Sequence, residues 1–220
     1  MALRIRHIAV RFALILALAR NLLVEANAVR AGGWQVGLGR DLHGATLGIV
    51  GLGHIGGQIA GFGKAFGMRL LAWSQNLTEA RAAEVGALRV TRDELLASAD
   101  LFTIHLRLSP RTRGLIGARE LGLMRSDACL VNTSRGPIVD QAALTQALEQ
   151  GRIAGAALDV YDQEPLPEDH PLRRTPNLLL TPHIGYVTRE TYRVFYGDTV
   201  DLVQAFLAGR PRNVLTGDTA

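Results

Sequence analysis

One cysteine in 220 residues, Cys129, rules out any disulfide within the chain and fits a reducing compartment. Its neighbours Ala128, Leu130 and Val131 make it a small core residue of a buried strand rather than a nucleophile. Charge of one sign is also scarce. The 24 Lys and Arg against 20 Asp and Glu leave +4, mostly as arginines spread along the chain. There is no basic stripe and no nucleic-acid reading motif, so no nucleic-acid partner is expected. The small positive balance suits anionic substrates and cofactors. No apolar run is long enough for a membrane span, and no membrane partner is expected. One stretch imitates a secretory signal: Arg4 and Arg6 precede the run Ile8 to Leu18, and Ala26-Asn27-Ala28 has the form of a cleavage site. Arg11 interrupts that run, and Arg20, Glu25 and Arg30 continue a helical pattern. Residues 8–31 are therefore expected to form one long packed helix ending at Gly32-Gly33, and the location to be cytoplasmic. No internal repeat, no low-complexity linker and no metal site is expected.

Hydrophobic residues make up 48%, enough for a good core and too many for a disordered chain. Short apolar runs at Thr46 to Val50, Arg69 to Trp73, Leu101 to Leu106, Ala128 to Asn132, Ile153 to Val160 and Leu178 to Thr181 read as six strands. Helices are expected at Ile55 to Phe66, after the capping box Thr91-Arg92-Asp93-Glu94, at Ala118 to Met124, from Asp140 to Gln150, and at Thr188 to Leu207. Residues 162–177 hold four of the eight prolines and read as a loop. Alternating strands and helices imply an α/β fold with a doubly wound parallel sheet. The expected organisation is a helix at 1–31 packed on the core, one domain over 32–208, and a tail at 209–220.

The turn Gly51-Leu52-Gly53-His54-Ile55-Gly56 follows the first strand and opens a helix. Gly51 permits the turn, Gly53 lets a pyrophosphate approach, and Gly56 lets helix and strand pack. The helix start at His54 and Ile55 adds N–H groups and partial positive charge. This points to a Rossmann-type dinucleotide-binding domain. The second strand in such folds commonly ends in an acid for the ribose 2′-hydroxyl. Here Trp73-Ser74-Gln75-Asn76 holds no carboxylate. Ser74 and Asn76 can bond a ribose or tolerate a 2′-phosphate, and Arg81 or Arg92 could approach. NAD and NADP both remain open, with weak discrimination expected.

Arg135, Asp159, Glu164 and His183 fall at or just past strand ends, where an open parallel sheet does its chemistry. A 2-oxo acid presents a carboxylate and a ketone. A guanidinium matches such oxygens bidentately. Hydride addition charges the ketone oxygen, and imidazole is the natural proton donor at neutral pH. A neighbouring carboxylate favours the protonated ring. Each residue alone could be a loop charge or a turn residue. In this order after a dinucleotide turn, they suit hydride transfer. His105 also ends a strand and is expected to line the cofactor site rather than act as the acid.

The chain resembles the D-isomer-specific 2-hydroxyacid dehydrogenase family, in its NAD-binding domain. The matching stretches are Leu14 to Asn21, Thr46 to Gly56, Arg111 to Ile116, Asn132 to Asp140, Gly155 to Pro165 and Thr181 to Gly185. The resemblance implies that Arg135 binds substrate, that His183 is the acid/base, and that Glu164 pairs with it. It implies that Asp159 takes the nicotinamide carboxamide and that Thr133 or Ser134 lies along the nicotinamide ribose. It also implies a homodimer in which residues 1–31 take part. Related formate dehydrogenases carry glutamine at the Glu164 position, which argues against that activity. Ser74 stands where many members have their ribose-binding acid. The family's substrate domain is built mainly from residues before the first helix, so most of it is expected to be missing from this chain, with low activity as the consequence. A non-catalytic, co-repressor-like module or inactive fragment is the alternative.

Overall fold

The computed structural model describes residues 8–214, so the expectations for residues 1–7 and 215–220, Arg4 and Arg6 included, lie outside the described residues. Residues 8–185 form one compact unit, and residues 186–214 belong to a second.

In the first unit α1 (Ala9–Ala19) and α2 (Leu22–Arg30) precede β1 (Thr46–Val50). Then come α3 (His54–Ala65), β2 (Arg69–Trp73), α4 (Glu79–Ala83), β3 (Leu88–Arg89), α5 (Arg92–Ser98) and β4 (Leu101–Ile104). They are followed by α6 (Ala118–Leu123), β5 (Cys129–Asn132), α7 (Gln141–Glu149), β6 (Gly155–Leu158) and β7 (Leu178–Leu180). The strands form one seven-stranded sheet in the order β3-β2-β1-β4-β5-β6-β7. Every pairing in it is parallel. The order reverses between β1 and β4, and the crevice beyond the carboxyl ends there is where such sheets bind ligands.

The sheet is covered on both faces, which is why its strands read as continuous apolar runs. Leu47 and Ile49 of β1, Val131 of β5 and Ala157 of β6 face one core, shared with Ile59 and Ala60 of α3 and with Phe12 and Ile15 of α1. Val50, Phe102, Ile104, Leu130 and Leu158 face the other, with Leu95 of α5, Leu121 of α6 and Leu144 of α7. The alternation along each strand is the period-two geometry of the pleat. Cys129 is half-buried in this sheet, and burial pushes its thiol up to about 11, so it stays a protonated core group.

The expected single helix over residues 8–31 is two helices, with axes 67° apart. Asn21 stands at the break with φ 51°, a left-handed conformation that asparagine tolerates better than most residues. A periodicity count does not register one residue of unusual φ. Ile8, Phe12, Leu14, Ile15 and Ala19 are buried, so α1 is a core helix. No single helix among the described residues is long and apolar enough to cross a membrane. The two-residue edge strand β3 was also not foreseen, because so short a run carries no periodic signal. The capping signals were legible. Thr91 and Glu94 exchange both bonds of a capping box, and the Asp140 carboxylate accepts the Ala142 and Ala143 N–H groups. In the second unit α8 (Arg189–Leu207) is capped by the Thr188 hydroxyl, which accepts from the Thr191 N–H.

Candidate active site

The turn after β1 is shaped by what a side chain would hit. Gly51 has φ +97°, and a Cβ there would lie 2.5 Å from the His105 carbonyl oxygen. A Cβ on Gly56 would lie 2.1 Å from the Gly51 carbonyl oxygen, so helix α3 can approach β1 only without one. Gly53 is different: a Cβ there meets nothing within 4 Å. It is the N-cap of the twelve-residue helix α3 and opens onto a cleft. That helix start has unsatisfied N–H groups and partial positive charge facing the same space. The cradle therefore has the room and the donors that a pyrophosphate requires.

The cleft measures about 1070 Å³ and gathers residues that are far apart in sequence. His54 and Ile55 line it beside Gly51 and Gly53, as do Ser74 and Asn76 beyond β2. His105 lines it beyond β4, and Thr133, Ser134 and Arg135 beyond β5. Two polar atoms in this wall are buried and have no hydrogen-bond partner among the described residues, His105 Nδ1 and Thr133 Oγ1. Orphaned buried polar atoms are uncommon in folded proteins and suit a ligand that supplies the missing partners. His105 Nε2 stands 3.0 Å from Thr103 Oγ1. Burial, with a smaller effect from the Arg11 charge, lowers the His105 ring to about 3, so it is neutral at working pH.

Asn132, which the sequence reading left unassigned, builds the Thr133–Arg135 turn. Its side chain is fully buried, donates to the Arg135 carbonyl at 2.9 Å and accepts the Ser134 N–H at 3.0 Å. The Ser134 hydroxyl donates to the Ile104 carbonyl at 2.7 Å, tying β5 to β4. Arg11 was also missed as a site residue. It reaches the cleft from α1, and burial lowers its pKa while the nearby Asp159 charge raises it. The signal was present: a charge inside an apolar helical run.

Glu164 and His183 come together from the loops after β6 and β7. His183 Nδ1 lies 2.6 Å from Glu164 Oε2, and Glu164 Oε1 accepts the Tyr161 N–H at 2.9 Å. Burial pushes the Glu164 carboxyl up, but the bonds from His183 and Tyr161 and the charges of His183 and Arg135 outweigh it. The net result is a carboxyl below its ordinary range. A Cβ on Gly136 would lie 2.1 Å from the Tyr161 carbonyl carbon, so that glycine lets the Arg135 loop close on the Glu164 loop. Tyr161 was not singled out in the sequence. Its hydroxyl donates to the Thr181 carbonyl at 2.8 Å, and burial, with smaller effects from the Asp159 and Glu164 charges, pushes it up to about 12.

Asp159 is 1% exposed. Its carboxylate accepts the Thr181 hydroxyl at 2.6 Å and the Ile184 and Gly185 N–H groups, each at 2.9 Å. It thus braces the turn that carries His183, which holds a left-handed φ of 54°. Such a conformation costs of order 1–3 kcal/mol for a non-glycine residue and persists only when its surroundings enforce it.

Residues 12–185 match the family described as D-isomer specific 2-hydroxyacid dehydrogenase, NAD binding domain. A glyoxylate reductase from Aeropyrum pernix is 46% identical over 189 residues, which are 82% of this chain and 56% of that protein. This chain therefore spans a little over half the length of that curated relative. A solved glyoxylate reductase from Paecilomyes thermophila is 38% identical with a TM-score of 0.81, covering 93% of this chain and 62% of that one. The D-lactate dehydrogenase of Aquifex aeolicus complexed with NAD and lactic acid is 30% identical with a TM-score of 0.83, covering 94% and 67%.

Proposed function

Since this chain belongs to the D-isomer specific 2-hydroxyacid dehydrogenase family, we propose that it serves an oxidoreductase reaction between NAD(P)H and a small 2-oxo acid, giving the D-2-hydroxy acid. Bound at the cleft, the reduced dinucleotide supplies the hydride. The Gly51–Gly56 turn and the start of α3 hold its pyrophosphate, with Ser74 and Asn76 toward the adenosine ribose. His105, Thr133 and Ser134 flank its nicotinamide end. Asp159 braces the His183 turn, and the resemblance gives it the carboxamide, although its carboxylate is 1% exposed and outside the lining of the cleft.

Arg135 grips the carboxylate and carbonyl of the substrate. His183 protonates the ketone oxygen as charge develops there. With Nδ1 directed at Glu164, Nε2 is the ring atom that delivers the proton, and the carboxylate stabilises the imidazolium. The observation that carries this reading is the 2.6 Å His183–Glu164 pair, with Arg135 close enough for its charge to act on the same carboxylate. It favours catalysis over an association-only module, which has no use for a proton donor so placed.

The test follows nicotinamide absorbance in the full-length protein with glyoxylate, hydroxypyruvate and pyruvate. His183→Ala and Arg135→Ala should each lower turnover by about 10²–10⁴-fold. Wild-type turnover in either variant would remove that residue from the mechanism.

The same reading includes a homodimer, a cytoplasmic location, and no nucleic-acid or membrane partner. It keeps residues 32–208 as the dinucleotide domain, 1–31 as the segment before it and 209–220 as a tail. Exposed Leu22, Leu23, Val24 and Val29 on α2 support self-association. The lone cysteine supports a reducing compartment.

A further inference from the structure

The lining of the cleft has a one-sided charge. Arg11, Arg81, Arg107, Arg111 and Arg135 all contribute to it, and among the described residues no aspartate or glutamate does. A dinucleotide with only its two bridging phosphates needs fewer cations than this. The arginines are also not grouped at one end. Arg135 is beside the residues that follow β5, whereas Arg81 belongs to α4, in the wall that holds Ser74 and Asn76.

The setting of Arg81 is specific. Its Nη2 lies 3.6 Å from where a Cβ on Gly57 would stand, so the guanidinium rests over the first turn of α3, next to the cradle. The backbone beneath it is held in place. The Thr78 hydroxyl accepts the Arg81 N–H at 3.2 Å, and Arg89 Nε donates to the Leu77 carbonyl at 2.7 Å. The Leu77 N–H in turn bonds the Ser74 carbonyl at 3.1 Å. Ser74, Leu77 and Arg81 therefore form one braced corner. Arg81 also pairs with Glu84 through Nη1. That pair is largely exposed, at 44% and 60%, and exposed pairs are weak. A guanidinium has five N–H donors, so one carboxylate leaves most of them for a second anion.

From this arrangement we infer that the protein selects NADP(H) over NAD(H), with Arg81 and Ser74 binding the 2′-phosphate. The inference rests on the dinucleotide reading of the cleft and goes beyond it. Ser74 removes the repulsion an acid would exert, and its hydroxyl offers a donor. Arg81 supplies the attraction, in a fork suited to phosphate oxygens. Selectivity then comes from one added contact and one absent carboxylate.

The experiment is a fluorescence titration of NADPH and NADH against the full chain, at low salt, with no substrate and no turnover. Wild type should bind NADPH at least about tenfold more tightly than NADH, a difference near 1.4 kcal/mol. Arg81→Ala should erase that preference and leave NADH affinity within about threefold of wild type. Arg81→Lys should restore part of it, because the charge returns without the fork. Ser74→Asp should invert it. Gly53→Val serves as the control for the cleft itself. Equal wild-type affinities, or an Arg81→Ala change that weakens both nucleotides alike, would overturn the selectivity while leaving the dinucleotide site standing. If neither nucleotide binds, or if Gly53→Val binds both as wild type does, the site reading falls and this inference falls with it.

Discussion

His183 Nδ1 and Glu164 Oε2 stand 2.6 Å apart although the two residues are nineteen positions apart in the chain. Glu164 is held below the ordinary carboxylate range, so its ionised form persists into acid. Its contribution to stability is complete above the unfolded-state value and is lost as pH falls through the lowered folded-state value. Glu164→Gln removes the charge beside the imidazole. The acid limb of the pH–rate profile that Glu164 sets, below the ordinary carboxylate range, should then disappear, because glutamine does not ionise. The measurement is kcat/KM against pH. A profile that overlays wild type would show that the pair does not set the proton donor.

Gly53 and Gly56 separate binding from folding. A side chain at Gly53 enters open space in the cleft, and its φ of −79° suits any residue. Gly53→Val should leave the urea midpoint close to wild type and abolish dinucleotide binding. Gly56→Ala drives a Cβ against the Gly51 carbonyl, and overpacking of that kind costs about 1–3 kcal/mol. Equal loss of stability in both variants would contradict the geometry.

Asp159→Asn replaces an all-acceptor carboxylate with a group that turns two donors toward the Ile184 or Gly185 N–H. A buried polar group left unsatisfied costs about 1–3 kcal/mol. Stability should fall by that order, and turnover should fall with it as the His183 turn loosens. Unchanged denaturation by urea would show that the turn stands without Asp159.

His105 should not titrate in the folded protein between about pH 5 and pH 8, because burial lowers it to about 3. The unfolded ring takes up a proton below about 6.5. In that window the unfolded state binds more protons, so His105 makes stability fall as pH drops from there toward about 3. His105→Asn should flatten this part of the stability–pH curve. An imidazole signal that titrates near its ordinary value by NMR would refute the burial argument.

Much of the site could be read from residue type and position alone. Gly51, Gly53 and Gly56 are intelligible because a strand–turn–helix with that spacing has few other uses. Arg135, Asp159, Glu164 and His183 could be placed at strand ends because apolar runs mark where strands stop. Asn132 and Tyr161 were not legible. Their importance lies in whose backbone they touch: Asn132 the Arg135 turn, and Tyr161 the Glu164 carboxylate and the Thr181 carbonyl. Nothing local marks such partners. The break at Asn21 escaped for the same reason, since helix periodicity runs through it almost unchanged.

The sequence by itself determined the alternation of strand and helix, the parallel sheet, the cradle glycines and the helix caps. Those are local matters of φ, hydrogen-bond geometry and apolar period, carried by neighbours within a few residues. Only the tertiary structure decided which charges meet. The 2.6 Å contact of His183 with Glu164 exists because parallel pairing sets the ends of β6 and β7 side by side. Arg11 reaches the cleft because the apolar face of α1 is buried in the core. Gly136 admits the Arg135 loop to the backbone at Tyr161 only once the two loops pack. Charges and close contacts act through space over a few ångströms, and the separation along the chain carries no measure of that distance.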